Sequence, residues 1–186
     1  MKSKVTLGLL ILILMVSSAS AFDNLRKGFV LGGGLGFTPS AKWSADVKTY
    51  YGVEKYDEDG TGIGYNLIIG YAWDEKNMIV YEGNIAAYKS DFFKVNVYQG
   101  FNGASWYHYF GQSGKSLFAA GGIGFYIFSG EGYRSNDLGP GLLVGLGYEF
   151  TPHAQVGLYF MGGKTSSAGV DFNHSQFSLL INGVAF

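Results

Sequence analysis

The sequence predicts an all-β protein, an eight-stranded antiparallel up-and-down transmembrane β-barrel. Three observations predict it. The first is Thr61–Trp73, TGIGYNLIIGYAW. Its odd positions are Ile63, Tyr65, Leu67, Ile69, Tyr71 and Trp73, and its even positions are Gly62, Gly64, Asn66, Ile68, Gly70 and Ala72. A period of two held over this length is a strand with bulky residues on one face and mostly small or polar ones on the other. The second is composition. Aromatics make up 17% of the chain and charged residues only 15%, with 30 Gly and 3 Pro, whereas ordinary globular chains are roughly 25% charged. Beyond residue 21 no run approaches the ~18 consecutive apolar residues of a spanning helix. Strands that alternate lipid-facing and lumen-facing residues have this signature. The third is the number of alternating segments, eight, joined by connections that are tight on one side and longer on the other.

A soluble barrel with an apolar interior is the competing arrangement. It would turn Ile63, Tyr65, Leu67, Ile69 and Tyr71 inward together with their counterparts on seven other strands. That volume exceeds an eight-strand lumen, which ordinary side chains already fill. The glycine-rich face is the one that fits inside.

Met1–Lys4 is a short basic region, Val5–Val16 an apolar run, and Ser17–Ala21 a stretch of small residues ending in Ala-Ser-Ala. This is the pattern of a secretory signal peptide over residues 1–21, and its apolar run is too short to span. Removing Lys2 and Lys4 with it takes the formal charge from −1 to −3. No basic excess points to nucleic acid. With no Cys in the chain, neither a lipoprotein anchor nor disulfides are expected.

Residues 22–27 form a polar periplasmic lead, and the barrel is expected over 28–186. Strand one is Gly28–Phe37. Thr38–Gly60, carrying Lys42, Asp46, Lys48, Glu54, Lys55, Asp57, Glu58 and Asp59, reads as a long exposed loop. Strand two is Thr61–Trp73, followed by the tight turn Asp74–Asn77. Strand three, Met78–Tyr88, places Ile79, Tyr81, Ile85 and Ala87 outward and Val80, Glu82, Asn84 and Ala86 inward. Lys89–Lys94 is a short loop. Strand four, Val95–Phe110, has mixed parity, and a bulge near Gly100–Gly103 would account for it. Gln112–Lys115 is a turn. Strand five is Leu117–Phe128, Ser129–Leu138 a loop, and strand six Gly139–Phe150. Thr151–His153 is the third tight turn. Strand seven is Ala154–Lys164, Thr165–His174 a loop, and strand eight Ser175–Phe186. The tight turns share one rim and the longer connections the other, the asymmetry of periplasmic turns and outer loops. Trp73, Phe110 and Phe150 precede the three tight turns and form the expected interfacial aromatic girdle.

Gly145–Pro152 (GLGYEFTP) and the closing SLLINGVAF resemble the small outer-membrane β-barrel proteins of Gram-negative bacteria, of the OmpA-barrel and OmpX/Ail type. The resemblance implies residence in the bacterial outer membrane and contact with its lipid and lipopolysaccharide. It also implies that Val184 and the terminal Phe186 are read by the barrel-assembly machinery. The position where that signal commonly has Gly is Ile181 here, and Phe177, Leu179 and Ile181 stand on the opposite parity to Val184 and Phe186. The facing of strand eight is therefore left open by the sequence. Such families vary in function, so the resemblance does not assign an activity.

Candidate site residues follow from the facing. Glu82 and Glu149 point into the lumen, where an unpaired carboxylate is costly. The reading is a structural polar network with Asn66, Asn84, Gln155 and Tyr159, and with His108 as a further member. Arg26 and Arg134 lie outside strand cores, which leaves Lys164, water or protonation to balance the carboxylates. His174-Ser175 has two partners of a hydrolase, but adjacent strand residues face opposite sides, so the pair cannot act as base and nucleophile without a bulge. GQSGKS lacks the first Gly of a phosphate loop. DEDG lacks the first-position acid and twelfth-position Glu of a calcium loop. No catalytic set, metal site or cofactor is expected. Trp43, Tyr50, Tyr51, Tyr56 and Tyr133 are candidate loop residues for an extracellular ligand, since loops carry recognition. The functional expectation is a non-enzymatic barrel that supports the membrane and binds through its outer loops. A lipid A-modifying enzyme of the outer leaflet and a narrow pore are the alternatives.

Overall fold

The computed structural model describes residues 25–131, 137–167 and 169–186. The signal-peptide expectation for residues 1–21 and the candidate Tyr133 lie outside them. The strands are β1 (Gly28–Thr49), β2 (Gly52–Asp74), β3 (Asn77–Lys89), β4 (Asn96–Tyr109), β5 (Ser116–Gly130), β6 (Asp137–Thr151), β7 (Ala154–Ser167) and β8 (Val170–Ala185). Each pairs antiparallel with its neighbours in sequence, and β1 closes the barrel on β8, Leu35 opposite Ile181.

The bulky rows face outward. Leu67 is 44% exposed, Ile123 70% and Leu146 65%, so these side chains do not converge on a core. The buried residues are those of the alternate parity, among them Ile68, Glu82, Asn84 and Leu143. On β2 the outward apolar row runs from Ile63 to Trp73. That is ~33 Å of strand at ~3.3 Å per residue, or about 25 Å of height at a tilt of ~40°, the thickness of an apolar membrane band. Above Ile63 the same outward row continues as Thr61, Asp59, Asp57 and Lys55, all exposed. The change from apolar to charged marks the outer boundary.

The expected long loop at Thr38–Gly60 is instead a hairpin. Ala41–Thr49 pairs with Gly52–Gly60, leaving only Tyr50 and Tyr51 at the turn. The register shifts between Thr38 and Ala41, where Pro39 and Ser40 interrupt the β1–β2 ladder. This β-bulge reverses the facing of β1. Val30 and Thr38 point inward below it, and Ala41, Trp43 and Ala45 above it. The loop expected at Thr165–His174 is likewise paired, Thr165 with Phe172. The longer outer side of the barrel therefore consists largely of extended strand. The bulge expected near Gly100–Gly103 does not occur, since β3 and β4 pair without a shift from Asn77–His108 to Lys89–Asn96. Strand eight also holds one parity. Phe177, Leu179 and Ile181 are exposed, and Val184 and Phe186 are buried.

Candidate functional site

The interior is stratified. At the periplasmic end the lead segment enters the barrel. Gly28 has φ +106°, a conformation an L side chain rarely adopts. It turns the chain so that Arg26 lies in the mouth, 1% exposed, against Glu149 at 2%. Arg26 Nε is 3.3 Å from Glu149 Oε2. Its two terminal nitrogens donate to the carbonyls of Glu75 and Gly111, the latter at 2.8 Å. The guanidinium also stands 4.1 Å over the Tyr109 ring. The Gly114 N–H donates to Glu149 Oε2 at 2.9 Å, and the Tyr109 hydroxyl donates to Gln155 Oε1 at 2.8 Å. Arg26 thus ties two periplasmic turns and a buried carboxylate to one cation. The expectation that no arginine serves the lumen is corrected, and Lys164, exposed on β7, is not a lumen partner.

Halfway up, Asn66 Nδ2 donates to Glu82 Oε1 at 2.8 Å, and Asn84, Ser105 and Tyr107 surround the same carboxylate. Tyr159 accepts from Asn182 Nδ2 at 3.1 Å. The expected network residues therefore divide into two clusters, Glu149 with Gln155 near the mouth and Glu82 with Asn66, Asn84 and Tyr159 at mid-barrel. His108 belongs to neither. It faces outward between Trp106 and Phe110, its Nδ1 2.8 Å from Asn77 Oδ1. Trp73, Phe110 and Phe150 are exposed beside the three tight turns.

Above the boundary the interior becomes aromatic. Trp43, expected on an exposed loop, is 2% exposed. Its ring centroid lies 5.2 Å from that of Phe93, 6.4 Å from Phe128 and 6.0 Å from Phe172. The bulge turned it inward. Its indole donates to Glu58 Oε2 at 3.0 Å, which also accepts from Ser90 Oγ at 2.6 Å, while Glu58 Oε1 accepts from the N–H groups of Asp91 and Phe92. Burial pushes the Glu58 carboxyl up, but hydrogen bonds from Ser90, Trp43 and the two N–H groups outweigh it and hold the group below the usual glutamate range. One side chain therefore fastens the Ser90–Val95 loop to the outer hairpin. The other loop candidates differ from Trp43. Tyr50 is 97% exposed, Tyr51 94%, and Tyr56 half-exposed. The tip tyrosines meet edge to face at 5.4 Å.

His174 points inward, its Nε2 2.8 Å from Thr165 Oγ1 and its ring stacked on Tyr126. Ser175 is on the other face of β8, so the pair is not brought together. Among the described residues no group of three acidic or histidine side chains is placed to hold a metal.

The family profile of the outer membrane protein beta-barrel domain matches residues 9–182. No curated protein sequence matches this one. Among solved structures, the chain is similar to Neisserial surface protein A at 16% identity and a TM-score of 0.52, covering 85% of this chain and 96% of that one. It is similar to OprG of Pseudomonas aeruginosa at 14% identity and a TM-score of 0.50, covering 87% and 98%. A third likeness is to Ail, the attachment invasion locus protein of Yersinia pestis, at 12% identity and a TM-score of 0.42, covering 84% and 99%. At these identities the first two likenesses show the fold alone. The matched profile spans nearly the whole sequence, and the chain belongs to the outer-membrane β-barrel protein family of the bacterial outer membrane.

Proposed function

We propose that this is a non-enzymatic surface protein that presents its β1–β2 hairpin to lipopolysaccharide and to ligands outside the cell. The observation that carries the reading is the hairpin itself. Nine paired residues on each side of Tyr50 and Tyr51 continue past the charged boundary of β2. At ~3.3 Å per residue and the same tilt they stand about 20 Å above it. Two almost fully exposed tyrosines at such a tip have no packing role within the barrel, and exposed Tyr is a residue of recognition. Lys55 lies outward and exposed on the hairpin, suited to a sugar phosphate, whereas Lys42 is paired with Asp59 Oδ2 at 3.2 Å. The filled lumen argues against a pore, and the opposed facing of His174 and Ser175 argues against a hydrolase.

The same reading includes cleavage near Ala21, a girdle of Trp73, Phe110 and Phe150 at the periplasmic interface, and recognition of the last strand by the assembly machinery through Val184 and Phe186. The test is binding of the folded protein to purified lipopolysaccharide. Replacing Tyr50 and Tyr51 together by Ser should weaken it at least about fivefold, since a truncated anchor residue costs ~1 kcal/mol or more. Unchanged affinity in a folded variant counts against the hairpin tip as the contact.

A further inference from the structure

The aromatic cluster above the boundary borders a partly open cavity of about 100 Å³ lined by Phe93, Val97, Phe128 and Phe172 together with Ser129, Gly130, Asp137 and Ser167. We propose that this cavity is a binding site for one small, neutral, single-ring aromatic molecule. It is separate from the hairpin tip and does not depend on the reading given for it.

Four features of the geometry point to that class. The size is on the scale of one ring: closed apolar cavities of ~150 Å³ take up benzene, and this one, at about 100 Å³, is smaller but not fully enclosed. The walls are rings set at angles, with Phe128 and Phe172 near-parallel at 5.8 Å and 27° and Phe93 tilted to Phe128 by 58° at 6.1 Å. A planar guest meets both a stacking face and an edge, the two favoured aromatic geometries. The lining disfavours an ionic guest, because its hydration would be lost against Phe93, Val97, Phe128 and Phe172, and Asp137 is the one ionisable side chain among the lining residues. The cavity also has a floor. One step down each strand, Tyr126 and His174 are stacked at 4.9 Å, and Tyr126 and Met161 are fully buried. A molecule entering from outside is held there rather than passed along the lumen.

The site has its own reporter. Trp43 packs against three of the four apolar lining residues, whereas Trp73 and Trp106 face outward. In detergent-folded protein carrying W73F and W106F, toluene should produce a saturable change in tryptophan emission. Val97→Phe in the same background fills the cavity and should weaken that response at least about tenfold. Retained mobility on an unboiled gel shows that V97F is folded, and if it is not, Val97→Leu makes the same comparison with a smaller intrusion. A response that rises linearly with toluene reflects partition into the micelle alone and overturns the proposal. So does an equal saturable response in the folded filled variant.

Discussion

Arg26→Met removes the cation from the periplasmic mouth while leaving most of its apolar length. The structure sets the size of the effect. Arg26 and Glu149 are almost fully buried together, and breaking a buried pair by deleting one partner costs roughly 3–5 kcal/mol. The Glu75 and Gly111 carbonyls also lose their donors, but both sit at turns, where water replaces much of what is lost. The expected destabilisation is therefore about 3–5 kcal/mol rather than the sum of every contact. Glu149→Gln should cost less, ~1–2 kcal/mol, because Arg26 keeps both carbonyls and the Tyr109 ring. The double variant should be less damaged than the two single effects added, by ~1–3 kcal/mol of coupling, since no unpaired carboxylate then remains. The assay is urea unfolding in micelles or lipid vesicles, followed by tryptophan emission and by unboiled gel mobility. A single Arg26→Met variant within ~0.5 kcal/mol of the parent refutes the reasoning, and so does strict additivity in the double variant.

Other expectations concern the outer loop and two strand glycines, Gly147 in the lumen and Gly121 on the outward face. Glu58 is held below the ordinary glutamate range, so its bonds to the Ser90–Val95 loop contribute above ~4.3, the unfolded value, and are lost as pH falls through the lower folded one. Protection of the Asp91 and Phe92 amides, taken relative to intrinsic exchange at each pH, should fall across that acid window. At neutral pH, Glu58→Gln should already raise their exchange about tenfold, the equivalent of ~1.5 kcal/mol for one charge-assisted bond; an unchanged exchange rate would separate Glu58 from loop anchoring. Gly147→Ala should destabilise by ~1–3 kcal/mol, because the added methyl meets the Phe118 ring and the Val156 carbonyl oxygen, each at 2.3 Å. Gly121→Ala should be neutral or slightly stabilising, as nothing lies within 4 Å of that methyl; equal unfolding midpoints for the two would remove the distinction.

The facing of most strands was legible because one face is bulky and the other small, as in β2 and β6. It was obscure in β4 for a physical reason. There the inward row holds Phe101, Tyr107 and Tyr109 beside Gln99 and Ser105, so size no longer separates lumen from lipid. The outer hairpin was missed because its outward row is charged and the bulge at Thr38–Ala41 breaks the period. A one-residue slip turns Trp43 from an apparent loop residue into the centre of the aromatic cluster. Reading the parity afresh after Pro39 would have found it. Arg26 left no such signal, since its position depends on the turn at Gly28 and on carbonyls of two distant turns.

The lumen glycines follow a different logic from the one that identified them. Small inward residues distinguish the lumen face from the lipid face, yet the lumen is filled by Tyr107, Tyr109, Tyr126, Tyr159, Phe101 and Phe118. Several of the spaces that glycines leave are occupied by a neighbour's ring, and others by Asn182, Leu180 or Val80. A methyl on Gly147 meets Phe118, one on Gly163 meets Tyr126, and one on Gly145 or Gly157 meets Tyr159. An eight-strand barrel has little room for large side chains at one level, so the rings of Phe118, Tyr126 and Tyr159 lie against residues that have no side chain. The interior is consequently close-packed, although several buried polar atoms, among them Glu82 Oε2, both side-chain heteroatoms of Asn84 and Asn182 Oδ1, have no hydrogen-bond partner within the protein. Packing of this kind holds the barrel closed from the Arg26 mouth up to Tyr126. Above that level, where β4, β5 and β8 approach their outer ends, Phe93, Val97, Phe128 and Phe172 border the cavity instead of filling it.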